Sequence, residues 1–217
     1  MDHETINIGT WMISSEVNGP GRRLVIWMQG CCFRCPGCLN PEFWDEHSGK
    51  SVSVAEIKKI IKNVNGKIEG ITFSGGEPML QAKSLIPLAR WIKSQGLGLV
   101  SYSGFTYEKL STPDSIPYAR ELLAEIDMLI DGPFLQEEKA PIIWRGSRNQ
   151  QVRFLTERYL HFREIVHKEG TCQAEIRSDA GKMAMTGFFP VELWEKLEKK
   201  IIEKKLNPVQ EGRQFTG

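Results

Sequence analysis

Apolar residues in this chain fall into short unbroken runs separated by stretches of helical period. The run RLVIWM at 23–28 is apolar beyond its first residue and rich in β-formers, which predicts a buried strand. Ser53-Val-Ala-Glu56 reads as a capping box, and Val54, Ile57, Ile60, Ile61 and Val64 then recur at helical spacing. Residues 70–73 predict a second strand, and 80–95 a helix stopped by Gly96. A third strand is expected at 97–102, a helix at 116–126 and a fourth strand, DMLID, at 127–131. Strands alternating with helices at this spacing imply parallel βαβ units, so the expected class is α/β.

The last third has a different texture. No periodicity is clear between Gln151 and Gly170. Residues 172–177 and 182–186 flank the turn-rich Ser178-Asp-Ala-Gly181 and predict a β-hairpin. Residues 191–205 form an amphipathic pattern with Val191, Leu193, Trp194, Leu197, Ile201 and Ile202 on one side, read as a helix packed on the domain rather than a membrane or partner helix. The tail after Asn207 is expected to be loose. No repeat, low-complexity tract or linker is visible.

Composition narrows the function class. A chain of 217 residues with 41% hydrophobic and 25% charged residues suits one globular domain. The balance of 28 Lys+Arg against 27 Asp+Glu, a net +1, offers no broad field to recruit nucleic acid or an anionic membrane. MDHETINIG shows no secretory leader, and no apolar stretch approaches the roughly 20 residues of a membrane span. The expectation is a cytoplasmic enzyme or binding protein.

Five cysteines carry the chemistry: Cys31, Cys32, Cys35, Cys38 and Cys172. Four of them lie within eight residues, unlike a secreted disulfide framework. Cys31, Cys35 and Cys38 have the spacing C-x3-C-x2-C directly after the first predicted strand, so three thiolates on one tight loop could each bind one iron of a cubane cluster. The fourth iron would then be open to a small molecule. Gly30, Pro36 and Gly37 supply the turns that let three sulfurs converge and keep the backbone close to whatever binds, which makes Gly37 a candidate cofactor contact. A structural zinc site competes, with Cys172, His161 or His167 as a distant fourth ligand. The iron–sulfur reading is favoured because the chain holds no second C-x2-C. Cys32 reads as a spectator thiol.

The C-x3-C-x2-C loop is similar to that of radical SAM enzymes, in which three cysteines hold a [4Fe–4S] cluster and S-adenosylmethionine chelates the open iron. GCCFRCPGCLNPEFWD at 30–45, with Asn40 and Trp44 after the cysteines, resembles the activating proteins of anaerobic ribonucleotide reductase and other glycyl radical enzymes. The resemblance implies a partial (βα) TIM-like radical SAM barrel over residues 1–152, followed by a hairpin-and-helix extension at 153–217.

Four further segments bear on the site. In Thr72-Phe-Ser-Gly-Gly-Glu-Pro78 the glycines would let backbone approach a ligand and Glu77 offers a carboxylate. By resemblance, Gly75, Gly76 and Glu77 meet the amino group of the methionyl moiety. Tyr102-Ser-Gly-Phe-Thr-Tyr107 resembles a segment of the reductase activators, with Ser103 either near the cofactor or capping the next turn. Asp131-Gly-Pro-Phe134 resembles their DGPF, with Asp131 either a cofactor contact by that resemblance or the start of a Gly-Pro turn, the reading its own residues favour. Trp144-Arg-Gly-Ser-Arg-Asn-Gln150 resembles their RGSxNQ, a cofactor or partner contact or else a surface loop. The loops after the strands of a parallel sheet converge where such folds bind ligands.

The resemblance implies reductive cleavage of S-adenosylmethionine at the cluster to a 5′-deoxyadenosyl radical, which takes a hydrogen atom from substrate. The favoured substrate is a glycine of a glycyl radical enzyme, with flavodoxin or ferredoxin as electron donor. The rivals are radical modification of another peptide or small molecule, a zinc-stabilised binding module, and a plain ferredoxin-like carrier. Reductase activators usually stop soon after RGSxNQ, so the extension puts the partner's identity in doubt.

Overall fold

The structure, a computed structural model, describes residues 4–170, 173–179 and 182–188, together with Lys196, Lys199 and Lys200. In chain order the elements are β1 (Thr5–Ser15), β2 (Arg23–Met28), β3 (Lys50–Ser53), α1 (Val54–Val64), β4 (Gly70–Gly75) and α2 (Ala82–Ser94). There follow β5 (Gly98–Ser103), α3 (Tyr107–Ser111), α4 (Ala119–Leu123), β6 (Met128–Asp131), β7 (Lys139–Ile142), β8 (Arg145–Ser147) and β9 (Gln151–Phe154). The hairpin strands β10 (Ala174–Asp179) and β11 (Lys182–Gly187) complete the set.

A seven-stranded mixed sheet runs β3-β1-β2-β4-β5-β6-β9. Its centre, β2-β4-β5-β6, is parallel, as the strand–helix alternation implies. The outer strands are antiparallel: β1 on β2, β3 on β1 and β9 on β6. The sheet stays open, and no closed barrel forms among the described residues.

Alternate residues of the central strands face opposite layers. Leu24, Ile26, Met28, Ile71, Phe73, Leu99 and Leu129 pack with the helix side chains Ile57, Ile61, Leu85, Leu88, Ile92 and Leu122. On the other face Val100, Met128 and Ile130 pack with Ile143, Trp144, Tyr159 and Val166, so residues after β6 return to cover the sheet. Burial on both faces is why β2, wholly buried, reads as a continuous apolar run.

The capping box forms: the Ser53 hydroxyl accepts from Glu56 N, and the Glu56 carboxylate accepts from Ser53 N. Other expectations need correction. The helix expected at 80–95 opens as a 3-10 turn, Pro78–Gln81, before α2. The helix expected at 116–126 shrinks to α4, because Tyr118 takes a left-handed φ of 62° and a helix cannot run through it. The aperiodic 151–170 stretch holds β9 and the 3-10 turns Glu157–Phe162 and Ile165–His167. β1 and β3 carry no clear strand run in the sequence, and β9 straddles the boundary expected at 152.

The hairpin is present with slightly different bounds. Arg177 Nη1 donates to Ile13 O (2.6 Å), its Nη2 to Ser14 O, and Asn18 Nδ2 to Thr186 Oγ1 (2.9 Å), while Phe188 lies 5.9 Å from Tyr102 ring to ring. Cys172, most of the helix expected at 191–205 and the tail after Asn207 lie outside the described residues; within that helix span, Lys196, Lys199 and Lys200 are helical. Among the described residues no helix is long and apolar enough to cross a membrane.

At the amino ends of the parallel strands Arg23 is fully buried. Its guanidinium donates to Thr72 Oγ1 (2.6 Å), Tyr159 Oη (2.8 Å) and the carbonyls of Pro20, Ile71 and Gly98. It ties three strands and the 157–162 turn at the end opposite the cysteine loop, and burial holds its pKa below the usual arginine value.

Candidate active site

Because β2, β4, β5 and β6 are parallel neighbours, the loops that follow them emerge at one end of the sheet. The cysteine loop leaves β2 there and is fastened on both sides. Gly30 N donates to Phe43 O (2.9 Å) and Cys31 N to Trp44 O (3.1 Å). Gln29 Nε2 donates to the carbonyls of Glu42 (3.0 Å) and Asp45 (2.8 Å). Phe33, inside the loop, packs edge-on against Phe105 after β5, with ring centroids 4.7 Å apart.

Cys31, Cys35 and Cys38 are half-buried on this loop, while Cys32 is exposed. Burial raises the Cys31 thiol, against the pull of the Phe33 and Arg34 amides. Cys38 is raised chiefly by burial, with Cys35 and Cys31 adding to it, and lowered by Asn40 N–H and the Trp44 indole. The sulfurs of these cysteines thus feel one another, and N–H donors stand at two of them. Among the described residues no three His, Cys, Asp or Glu side chains converge tightly around one point. The donor set nevertheless suits an iron–sulfur cluster: soft sulfur ligands from one short loop, with amides to stabilise thiolate charge. Gly37, at φ +72°, lies in the turn between the last two of these cysteines, under Phe134 and Gln136 of the loop after β6.

The loop after β4 is packed onto this one. Gly76 N donates to Met28 O and Glu77 N to Gly30 O, each at 2.8 Å. A Cβ on Gly76 would lie 2.2 Å from Gly30 O, and one on Gly75, at φ +95°, would lie 2.6 Å from Met28 N. The two glycines therefore let backbone approach backbone beneath the cysteines.

Glu77 is 1% exposed. Its Oε1 accepts from Met79 N (2.9 Å) and Ser103 Oγ (3.0 Å), and its Oε2 from Gly104 N (2.7 Å). Burial pushes its pKa up to about 7 despite these three donors. The carboxyl expected to meet a ligand ammonium thus also joins the loops after β4 and β5, near enough to Cys31 and Cys32 to raise both.

Ser103 is buried, donating to Glu77 and accepting from Phe105 N (3.1 Å), so it caps the turn that follows it as well. Asp131, also buried, accepts from Tyr107 N (2.8 Å) and Arg153 Nε (3.1 Å), and burial raises its pKa against the pull of both. It thereby links the loop after β5, the end of β6 and β9. The Trp144–Gln150 segment folds against the same end: Asn149 Nδ2 donates to Pro133 O (2.7 Å) and Gln150 Nε2 to Gly132 O (3.1 Å). Asn149 Oδ1 and Arg145 Nε are buried without partners among the described residues.

Sequence reasoning missed three braces. Gln81 binds the backbone of Asn7 at both N and O, and also Gln29 O (3.1 Å). Gln29 clamps the segment after the cysteines, and Arg153 neutralises Asp131. Glutamine and arginine carry no positional signal of their own; only the contacts reveal them. His161 stacks on Phe162 (4.3 Å) and His167 lies beside β9, both exposed on the 157–167 turns.

The 4Fe-4S single cluster domain family matches residues 17–153. The chain is 33% identical over 147 residues to the anaerobic ribonucleoside-triphosphate reductase-activating protein of Escherichia coli K12, spanning 64% of this chain and 92% of that one. The chain belongs to this family. The Haemophilus influenzae protein of the same name is 32% identical over 63% of this chain and 90% of its own, and that of phage T4 27% identical over 63% and 86%. Among solved structures, QueE from Escherichia coli aligns with 59% of this chain and 72% of its own at a TM-score of 0.44 and 16% identity. The family is one of iron–sulfur proteins, which decides between the two metals that the cysteine spacing left open.

Proposed function

We propose that this protein is a radical SAM activase that installs a glycyl radical on an anaerobic ribonucleotide reductase. The observation that carries the reading is the cysteine loop, held against the three neighbouring strand-end loops in a member of the activating-protein family. Cys31, Cys35 and Cys38 hold a [4Fe–4S] cluster as thiolates. With S-adenosylmethionine bound beside it, the cluster would supply the single electron for reductive cleavage of the sulfonium, the chemistry needed to take a hydrogen atom from a glycine Cα.

The chain's own residues hold and shield that chemistry. Gly75 and Gly76 keep the second loop tight against the cysteine loop, and Glu77, braced by Ser103, is the carboxylate assigned to the methionyl ammonium. Asp131, with Arg153, fixes the fourth loop, and Gly37 lets that loop close over the cysteines. The open sheet serves as a partial barrel whose unclosed side admits a protein substrate. The setting is cytoplasmic, with flavodoxin or ferredoxin as reductant and with neither nucleic acid nor membrane as partner.

The test is anaerobic reconstitution with iron and sulfide, followed by S-adenosylmethionine and dithionite. Wild type forms 5′-deoxyadenosine and, mixed with the reductase, an EPR-detectable glycyl radical. Cys35→Ala forms neither. Equal 5′-deoxyadenosine from both proteins would refute the reading.

A further inference from the structure

β9 is the last strand of the sheet, and among the described residues only β6 pairs with it. Its other edge therefore presents main-chain N–H and C=O groups that a further strand could take up. Neither proline nor bulge interrupts the segment QVRF or its ladder with β6. A cavity of about 380 Å³ lies along this strand. Residues 152–155 line it in succession, although Val152 and Phe154 pack toward the layer of Trp144 and Tyr159 while Leu155 packs toward the helices. Residues of both sheet faces meet in one groove only where that groove follows the strand's outer edge.

The remaining walls are Tyr107 of α3 and, from the 157–167 turns, Arg163 and His167. No carboxylate of the described residues lines the groove. Arg153 is held by Asp131 and Glu108 and lies 5.6 Å from the Tyr107 ring. Arg163 and His167 are exposed, which leaves Arg163 as the cation to meet an incoming negative charge. The groove also has a direction. Because Gln151 pairs with Asp131, the strand begins level with the loop after β6, and that loop lies over Gly37 between the cysteines. A segment laid along β9 is therefore led toward the cysteine loop.

We propose that the free edge of β9 takes an extended, acidic segment of the protein substrate as an eighth strand, with a carboxylate of that segment meeting Arg163. This rests on the reading of the protein as an activase of a reductase. Main-chain pairing with β9 supplies the register, the apolar floor of Val152, Phe154 and Leu155 accepts alternate side chains, and the cationic wall selects for negative charge.

The experiment mixes the reconstituted full-length protein with the anaerobic ribonucleotide reductase. Amide hydrogen exchange over 151–155, binding affinity at low and high salt, and the glycyl radical signal are read for wild type, Arg163→Glu and Arg163→Gln. Exchange over 151–155 is expected to slow on mixing, and affinity to fall as salt rises. Arg163→Glu should weaken binding about tenfold or more at low salt and Arg163→Gln less, while both form 5′-deoxyadenosine as wild type does. Unchanged exchange over 151–155 in a wild-type complex that forms the radical overturns the proposal, as does full affinity in Arg163→Glu. Protection of 151–155 that grows with protein concentration, without reductase, assigns the edge to a second copy of this chain and overturns it too. A wild-type protein that cleaves S-adenosylmethionine yet leaves the reductase without a radical sinks the function reading itself, and the groove assignment falls with it.

Discussion

Glu77 makes this protein's stability depend on pH in a calculable way. Its carboxyl titrates near 4.5 when exposed and at about 7 in the fold, because burial penalises the charged form more than three donors repay it. Between these values the native state holds a proton that the unfolded chain has released, so stability falls as pH rises. The contribution is fully present below about pH 4.5 and gone above about 7. At about 1.36 kcal/mol per pH unit, the rise from 4.5 to about 7 is worth about 3 kcal/mol. Glu77→Gln removes the titration and is destabilised itself, since its amide NH2 must face either Gly104 N–H or Met79 N–H in place of a carboxyl oxygen. Anaerobic urea unfolding of the wild-type and Glu77→Gln proteins, with the cysteines reduced, would be followed from pH 5 to 8. The advantage of wild type over the variant should shrink by about 2–3 kcal/mol across that range. A difference that stays flat, or widens with pH, would refute the assignment of a raised pKa to this buried carboxyl.

Other perturbations test the packing around the site. Gly76→Ala places a Cβ 2.2 Å from Gly30 O and 2.9 Å from Phe43 O, both backbone atoms that cannot rotate away. It should cost about 2–3 kcal/mol in urea unfolding and reduce iron loading, because the displaced backbone begins the cysteine loop. Arg23→Met strands three buried carbonyls and two hydroxyls and should cost at least about 3 kcal/mol, seen as a lowered Tm. Arg23→Lys should recover little of that loss, since one ammonium cannot reproduce a guanidinium fork.

Local chemistry made much of this protein readable from its sequence. The capping box is an interaction between Ser53 and Glu56, three residues apart, and it forms as its spacing requires. The central strands are buried on both faces, so β2 and β6 carry continuous apolar runs, and the parallel order of the four follows from the strand–helix alternation. The cysteine loop is likewise a short-range statement: three thiols within eight residues, with turns between them, restrict the metal before any fold is known. Contacts between distant segments decided the rest. β1 alternates at Ile6 and Ile8, but a register shift between Ile8 and Thr10 turns Met12 to the opposite layer, so the apolar set is broken and the segment becomes a strand through its pairing with β2 and β3. β9 has four residues and is a strand only because β6 lies beside it. The sequence showed a glutamate after two glycines; the burial of that carboxyl, its bonds to Ser103 and Gly104 and its shifted titration exist only once the loops after β4 and β5 meet. Short-range patterns report what a segment prefers, whereas burial and partner choice are properties of the space between segments, and that space appears only when the chain has folded.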